Sequence, residues 1–136
     1  MQTVSKQSKA AIVDISKFTA DFNNPLVKAF KQRGAVFGFT AYFIVSDYLN
    51  LTQTRINDVD LLVDDNGKTY KVCTTKDIGP AYTKGIGRSK NGIDIKTHIV
   101  NQSDYLVILE PPVNNICNLT VFKTTDVVLD NKGILQ

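Results

Sequence analysis

Two β-rich runs, 56–63 and 69–75, flank Asp64-Asp65-Asn66-Gly67, and no other segment constrains the fold of this chain as strongly. Asn-Gly supplies the positive φ angles of a tight hairpin turn, so the two runs pair as antiparallel strands. Alternate side chains of a strand share a face. Asp58, Asp60 and Leu62 therefore point one way while Val59, Leu61 and Val63 point the other. On the returning strand Thr69, Lys71, Cys73 and Thr75 share a face, and the expected pairing brings Lys71 near Asp60.

The rest of the chain is expected to build around this hairpin. Ile12, Ile15, Phe18 and Phe22 recur at helical spacing among alanines, which predicts a first helix near 8–20. Asn24 as a cap, Pro25 at the first position and Arg33-Gly34 as a stop predict a second helix, or the continuation of one bent helix. From Ala35 to Val45 the residues are β-branched and aromatic, which favours a long buried strand. The glycines and lysines of 77–92 read as a loop, and 105–109 and 119–122 as two further strands. With 136 residues, 43% of them apolar and 21% charged, the chain suits a single domain over 1–136. No apolar run approaches the ~20 residues of a membrane span, so no membrane partner is expected.

The first residues lack the apolar stretch of a secretory signal, so a cytoplasmic or other intracellular setting is expected, with Cys73 and Cys117 as thiols. Asn50-Leu-Thr and Asn118-Leu-Thr then read as turn and strand residues, not glycosylation sites. The net charge of +3 is unevenly spread: residues 34–67 sum to −4 and residues 68–100 to +5. An acidic block followed by a basic one suits a site that holds a cation and a polyanion together, and solvated surface produces such blocks as well. Asp58 and Asp60 could supply oxygen ligands to Mg²⁺, and Lys71 beside them could stabilise charge on a phosphate. Against this stand a turn role for Asp58 and a plain hairpin salt bridge between Lys71 and Asp60.

The segment 84–98 carries Lys84, Arg88, Lys90 and Lys96 among Gly, Ser and Asn. Such a stretch can follow a phosphate backbone, its cations replacing counterions, and Tyr82 could stack on a base. A mobile surface loop has the same composition. Gly85-Ile-Gly-Arg-Ser-Lys has neither the spacing nor the strand–helix context of a nucleotide-binding loop. His98 is the single histidine, which excludes a histidine-cluster zinc site. Cys73 and Cys117 lack paired-ligand spacing, and a Cys–His nucleophile pair has no local signature.

Asp-Leu-Leu-Val at 60–63, the Asp-Asp-Asn-Gly turn and Lys-Thr-Tyr-Lys-Val at 68–72 together resemble the catalytic hairpin of the PD-(D/E)xK nucleases, the restriction-endonuclease-like superfamily, in particular its small homing-endonuclease-like type. The segment 104–109 is similar to a later strand of such proteins, and 119–122 with Asp126-Val-Val to their closing strand and final turn. The resemblance implies an α/β fold in which an N-terminal helix or helices precede a mixed central sheet, with the first motif Asp on the second strand and an acidic-x-Lys or Gln-x-Lys motif on the third. It implies a Mg-dependent hydrolase acting on DNA, with Asp60 catalytic and metal-binding, and Asp58, Asp14 or Asp21 as the second carboxylate. The motif departs from the family at Cys73 and Thr75, which stand where the acidic residue and the lysine belong. A thiol is a poor Mg²⁺ ligand and threonine is uncharged. Lys71, or Lys76 through a bulge, would have to replace the lysine. Three readings follow: a Mg-dependent endonuclease, an inactive relic that serves as a DNA-binding or protein-assembly module, and an unrelated α+β interaction protein. A homodimer is compatible with each.

Overall fold

A computed structural model describes residues 4–16, 37–56, 59–78 and 95–136. Its elements run β1 (Gln7–Asp14), α1 (Phe37–Leu49), β2 (Thr52–Ile56), β3 (Val59–Val63), β4 (Thr69–Cys73), α2 (Ile95–Gln102), β5 (Tyr105–Leu109), β6 (Ile116–Lys123) and a 3₁₀ turn at Thr124–Asp126. The strands form one six-stranded sheet in the order β1-β6-β5-β4-β3-β2. β4 and β5 are parallel and every other neighbouring pair is antiparallel. A parallel pair needs a crossover, and α2 lies within it.

Each face of the sheet carries its own core. Ala41, Ile44 and Val45 of α1 pack with Leu62, Val72 and Val107 on one side. On the other, Ile99 of α2 packs with Cys73, Leu106, Ile108 and Phe122. Residues alternate between the two cores along β4, β5 and β6, as burial on both faces requires.

The expected plan of N-terminal helices followed by a restriction-endonuclease-like sheet is overturned. The chain enters in a strand, and strands dominate the described residues, with only two short α-helices. Residues 7–14 pair with β6 from Gln7↔Phe122 to Asp14↔Ile116. Only Val13 of this strand is fully buried, so its apolar spacing served an edge strand and not a helical stripe. The converse error falls on 35–45. There the aromatic and β-branched run forms α1, with Ala41, Ile44 and Val45 buried at helical spacing. A short apolar run does not distinguish a buried strand from a buried helix by period alone, and α1 continues the pattern to Leu49. It ends in a Schellman turn, in which Asn50 adopts φ 57° and the Leu51 amide donates to the Ser46 carbonyl at 3.0 Å. The expected second helix at 24–33 lies outside the described residues.

The hairpin forms with a different turn. Gly67 is at φ 78° while Asn66 is not in the positive region, and the ladder closes where the Asp64 amide donates to the Lys68 carbonyl at 3.0 Å. Three residues therefore make the loop, a type I turn followed by a left-handed glycine, in place of a two-residue Asn-Gly turn. The register that follows is Val63↔Thr69 and Leu62↔Tyr70. Among the described residues no helix is long and apolar enough to cross a membrane.

Candidate functional site

The turn chemistry determines which side chains can meet. A two-residue Asn-Gly turn would place Asp60 on the face of Lys71 and Cys73. With Leu62 opposite Tyr70, Asp60 instead shares the face of Leu62, Tyr70 and Val72, on the α1 side. Lys71 alternates with Val72 and lies beside Cys73 on the α2 side, where it is 7% exposed. Because the side-chain period of a strand is two, a shift of one residue exchanges the faces completely. Asp60 and Lys71 thus stand on opposite sides of the sheet.

Asp60 occupies a fork. β2 stays paired with β3 down to Ile56↔Val59, whereas β4 is paired with β3 only at Leu62 and Val63. The strands part at the Asp60 end, and Tyr42 of α1 reaches into the gap, its hydroxyl donating to the Asp60 carbonyl at 3.2 Å. Burial is the main force pushing that phenol up to about 12, so it remains a hydrogen-bond donor at neutral pH. A cavity of about 140 Å³ opens here, lined by Tyr42, Phe43, Gln53, Thr54, Asp60 and Leu61. The Asp60 side chain is 73% exposed and lies 3.9 Å from Nε of Arg55, its cross-strand partner. Such an exposed pair is worth little.

The other expected catalytic and metal residues do not gather around this fork. Lys76 lines a separate cavity of about 370 Å³ with Glu110, Phe122 and the C-terminal residues. Asp14 lies on the edge strand β1, at the far side of the sheet, and not on a helix. Its carboxyl is held below the ordinary range by hydrogen bonds from the Ser16 hydroxyl and amide. Asp58 and Asp21 lie outside the described residues. Among the described residues no three acidic, histidine or cysteine side chains converge, and Asp60 has an arginine for a neighbour where a metal cage needs a second carboxylate. The described side chains therefore do not fit Mg²⁺. Burial pushes the Cys73 thiol up to about 12, against a downward pull from Lys71, and the Cys117 thiol up to about 11. Both are poor nucleophiles, and they belong to opposite cores.

Of the expected nucleic-acid contacts, Tyr82, Lys84, Arg88 and Lys90 lie outside the described residues. Lys96 is described, and the fold uses it. Its ammonium donates to the carbonyls of Thr124 at 2.9 Å, Thr125 at 3.1 Å and Val127, so it closes the 3₁₀ turn after β6. Burial lowers its pKa and Asp126 partly restores it. Lys96 is thus withdrawn from the basic patch. Tyr42 went unnoticed in the sequence because 35–45 read as a strand; a helical reading of Ala41, Ile44 and Val45 would have shown Tyr42 flanking the buried stripe. No family model matches the chain, and no curated protein or solved structure matches it either.

Proposed function

We propose that the chain is a nucleic-acid-binding module of the PD-(D/E)xK type, acting on DNA inside the cell, without a working hydrolytic centre. Two features support the kinship: Asp60 stands on the second strand after α1, and the next strand, β4, leads through α2 into a parallel neighbour. The observation that carries the inactive reading is the parity of the hairpin. To the face of Asp60, β4 presents Tyr70 and Val72, while its lysine is buried behind the sheet. Among the described residues no three acidic, histidine or cysteine side chains converge, and Asp60 has Arg55 beside it and no lysine from β4, so these side chains neither assemble a metal site nor stabilise a pentacoordinate phosphate.

The binding reading draws on the composition of the segment between β4 and α2. The segment 84–98 carries Lys84, Arg88 and Lys90 among Gly, Ser and Asn, a composition that suits contact with a phosphate backbone. These cations would neutralise phosphates, and the affinity would fall steeply with salt.

The test is a titration of labelled DNA at several salt concentrations, with a plasmid cleavage assay in Mg²⁺ and Mn²⁺. The wild-type chain should bind and leave the plasmid intact. Replacing Arg88 and Lys90 by Ala should flatten log K against log[salt] by about one to two units. Absence of binding at low salt would remove the reading altogether. Metal-dependent cleavage that Asp60→Asn abolishes would instead establish a Mg-dependent deoxyribonuclease.

A further inference from the structure

The two edges of the sheet are unlike each other. At one edge β2 has five residues and carries Arg55, and a short strand with a charge on it is a blunted edge. The other edge, β1, has eight residues, and its stretch Ala10-Ala11-Ile12-Val13 carries no charge. After a bulge between Gln7 and Lys9 it runs in regular register against β6, from Lys9↔Val121 to Asp14↔Ile116. Ala10, Ile12 and Asp14 share the sheet face opposite to that of Val13, which belongs to the α1-side core. Ile12 is 68% exposed there, and Ile116, also exposed, lies diagonal to it on β6. A large apolar side chain at the centre of a long edge strand invites pairing with another strand.

The hydrogen-bond parity of β1 is fixed by its neighbours. The Ile15 amide donates to the Asn115 carbonyl at 2.9 Å, and hydrogen-bonded pairs recur every second residue, so Val13, Ala11 and Lys9 also spend their backbone groups on β6. β6 agrees. The Glu110 amide donates to the Asn118 carbonyl at 2.9 Å, so the even-numbered residues of β6 serve β5 and the odd-numbered ones serve β1. The amides and carbonyls of Ala10, Ile12 and Asp14 therefore point out of the sheet edge. Among the described residues β1 has β6 as its only strand neighbour.

We infer that β1 is a homodimer interface, at which two copies of this chain join β1 to β1 antiparallel about a two-fold axis and form one continuous sheet. Self-pairing brings together residues of the same parity, and the register centred on Ile12 uses all three outward residues. Ile12 faces Ile12 of the second copy, and Ala10 faces its Asp14, twice by symmetry. Each pair exchanges two bonds, about six in all. Centring one residue earlier would set Ser8, at the bulge, against Asp14. Centring one residue later would set Ala10 against Ser16, whose amide already donates to the Asp14 carboxylate at 2.8 Å. The Ile12 register opposes no like charges and covers the exposed isoleucine with its own copy. A single strand pair is a small interface, so half-dimerisation is expected at about 10–100 μM. The interface stands apart from the nucleic-acid function and is tested without DNA.

The experiment is sedimentation equilibrium of the full chain over about 5–500 μM, with urea midpoints to confirm that each variant is folded. Wild type should dimerise. Ile12→Lys sets two lysines against each other on the axis and should weaken the dimer at least about tenfold. Ala10→Lys meets Asp14 of the second copy twice and should tighten it by about 2–30-fold, while Ala10→Asp should weaken it by a similar factor. The chain already carries +3, so an added lysine raises the repulsion between copies and net charge alone gives the opposite sign. Thr52→Lys, on the other edge, should leave the dimer as it is. A wild type that stays monomeric across the range overturns the interface, as does a Thr52→Lys variant that loses as much as Ile12→Lys. If Ile12→Lys does not fold, the Ala10 pair decides: Lys and Asp acting in the same direction would overturn the pairing of Ala10 with Asp14, and opposite directions would support it.

Discussion

Asp60 and Asp64 sit four residues apart on one hairpin and have opposite circumstances. At the turn, Asp64 accepts from the amides of Asn66 at 2.9 Å and Lys68 at 3.0 Å and from the Tyr70 hydroxyl at 3.0 Å. At the fork, Asp60 holds its place through its backbone, while among the described residues its carboxylate reaches only Arg55, at 3.9 Å. The closed end of the hairpin is fixed by local hydrogen bonds. The open end is fixed by whatever α1 inserts between the strands. A carboxylate in the second setting is available for chemistry but has to be given partners by the rest of the fold, and here the register sends the nearest lysine to the other face.

Substitutions at the two ends should respond differently. The largest effect belongs to Leu62, fully buried at the last paired position before the strands part. Leu62→Ala should destabilise by about 2–5 kcal/mol in a urea melt, since it opens a cavity where the α1-side core meets the hairpin. A cost below about 1 kcal/mol would mean that the core does not close over the fork.

At the turn, Gly67 comes next. Its φ of 78° strains any residue with a Cβ, and no atom lies within 4 Å of where that Cβ would be. Gly67→Ala should therefore cost about 1–2 kcal/mol of backbone strain alone, and Gly67→Asn clearly less, because asparagine tolerates the left-handed region. Equal costs for the two would point to a contact and not a dihedral as the cause.

Tyr42→Phe removes the hydroxyl that bridges α1 to the fork and should cost about 0.5–1.5 kcal/mol by the same melt. It should also accelerate hydrogen exchange in β3 while leaving the Asp64–Lys68 pair protected, which would separate the open end from the closed one.

The carboxylates should differ in pH response. Burial raises the Asp64 pKa, and the hydrogen bonds from Lys68, Tyr70 and Asn66 outweigh it, so the net shift is downward. A group depressed in the folded state adds stability above its unfolded pKa, and that stability is lost as pH falls through the ordinary carboxylate range toward the lower folded value. Asp64→Asn should shrink the acid-side loss of stability. Asp60→Asn should change the melt at neutral pH by less than about 0.5 kcal/mol, the smallest of these effects.

The hairpin and the strand at 105–109 were legible in the residues alone, because their signals are local. Asx and glycine chemistry makes a turn wherever it occurs, and a β-branched run of five residues between breakers has few alternatives. The sequence also marked Asp60 as a candidate functional carboxylate of that hairpin. Packing made 7–14 a strand and 37–49 a helix, since both have apolar patterns compatible with either state until β6 and the sheet face select one. It decided that Lys96 closes a turn 28 residues away in sequence, which no spacing rule encodes. Above all it decided the parity of the hairpin. Asp64-Asp65-Asn66-Gly67 can close with two loop residues or with three, Asn-Gly favours two, and the difference is a single register step. Burial of Leu62 and Val72 against α1 selects the three-residue loop, and with it the separation of Asp60 from Lys71.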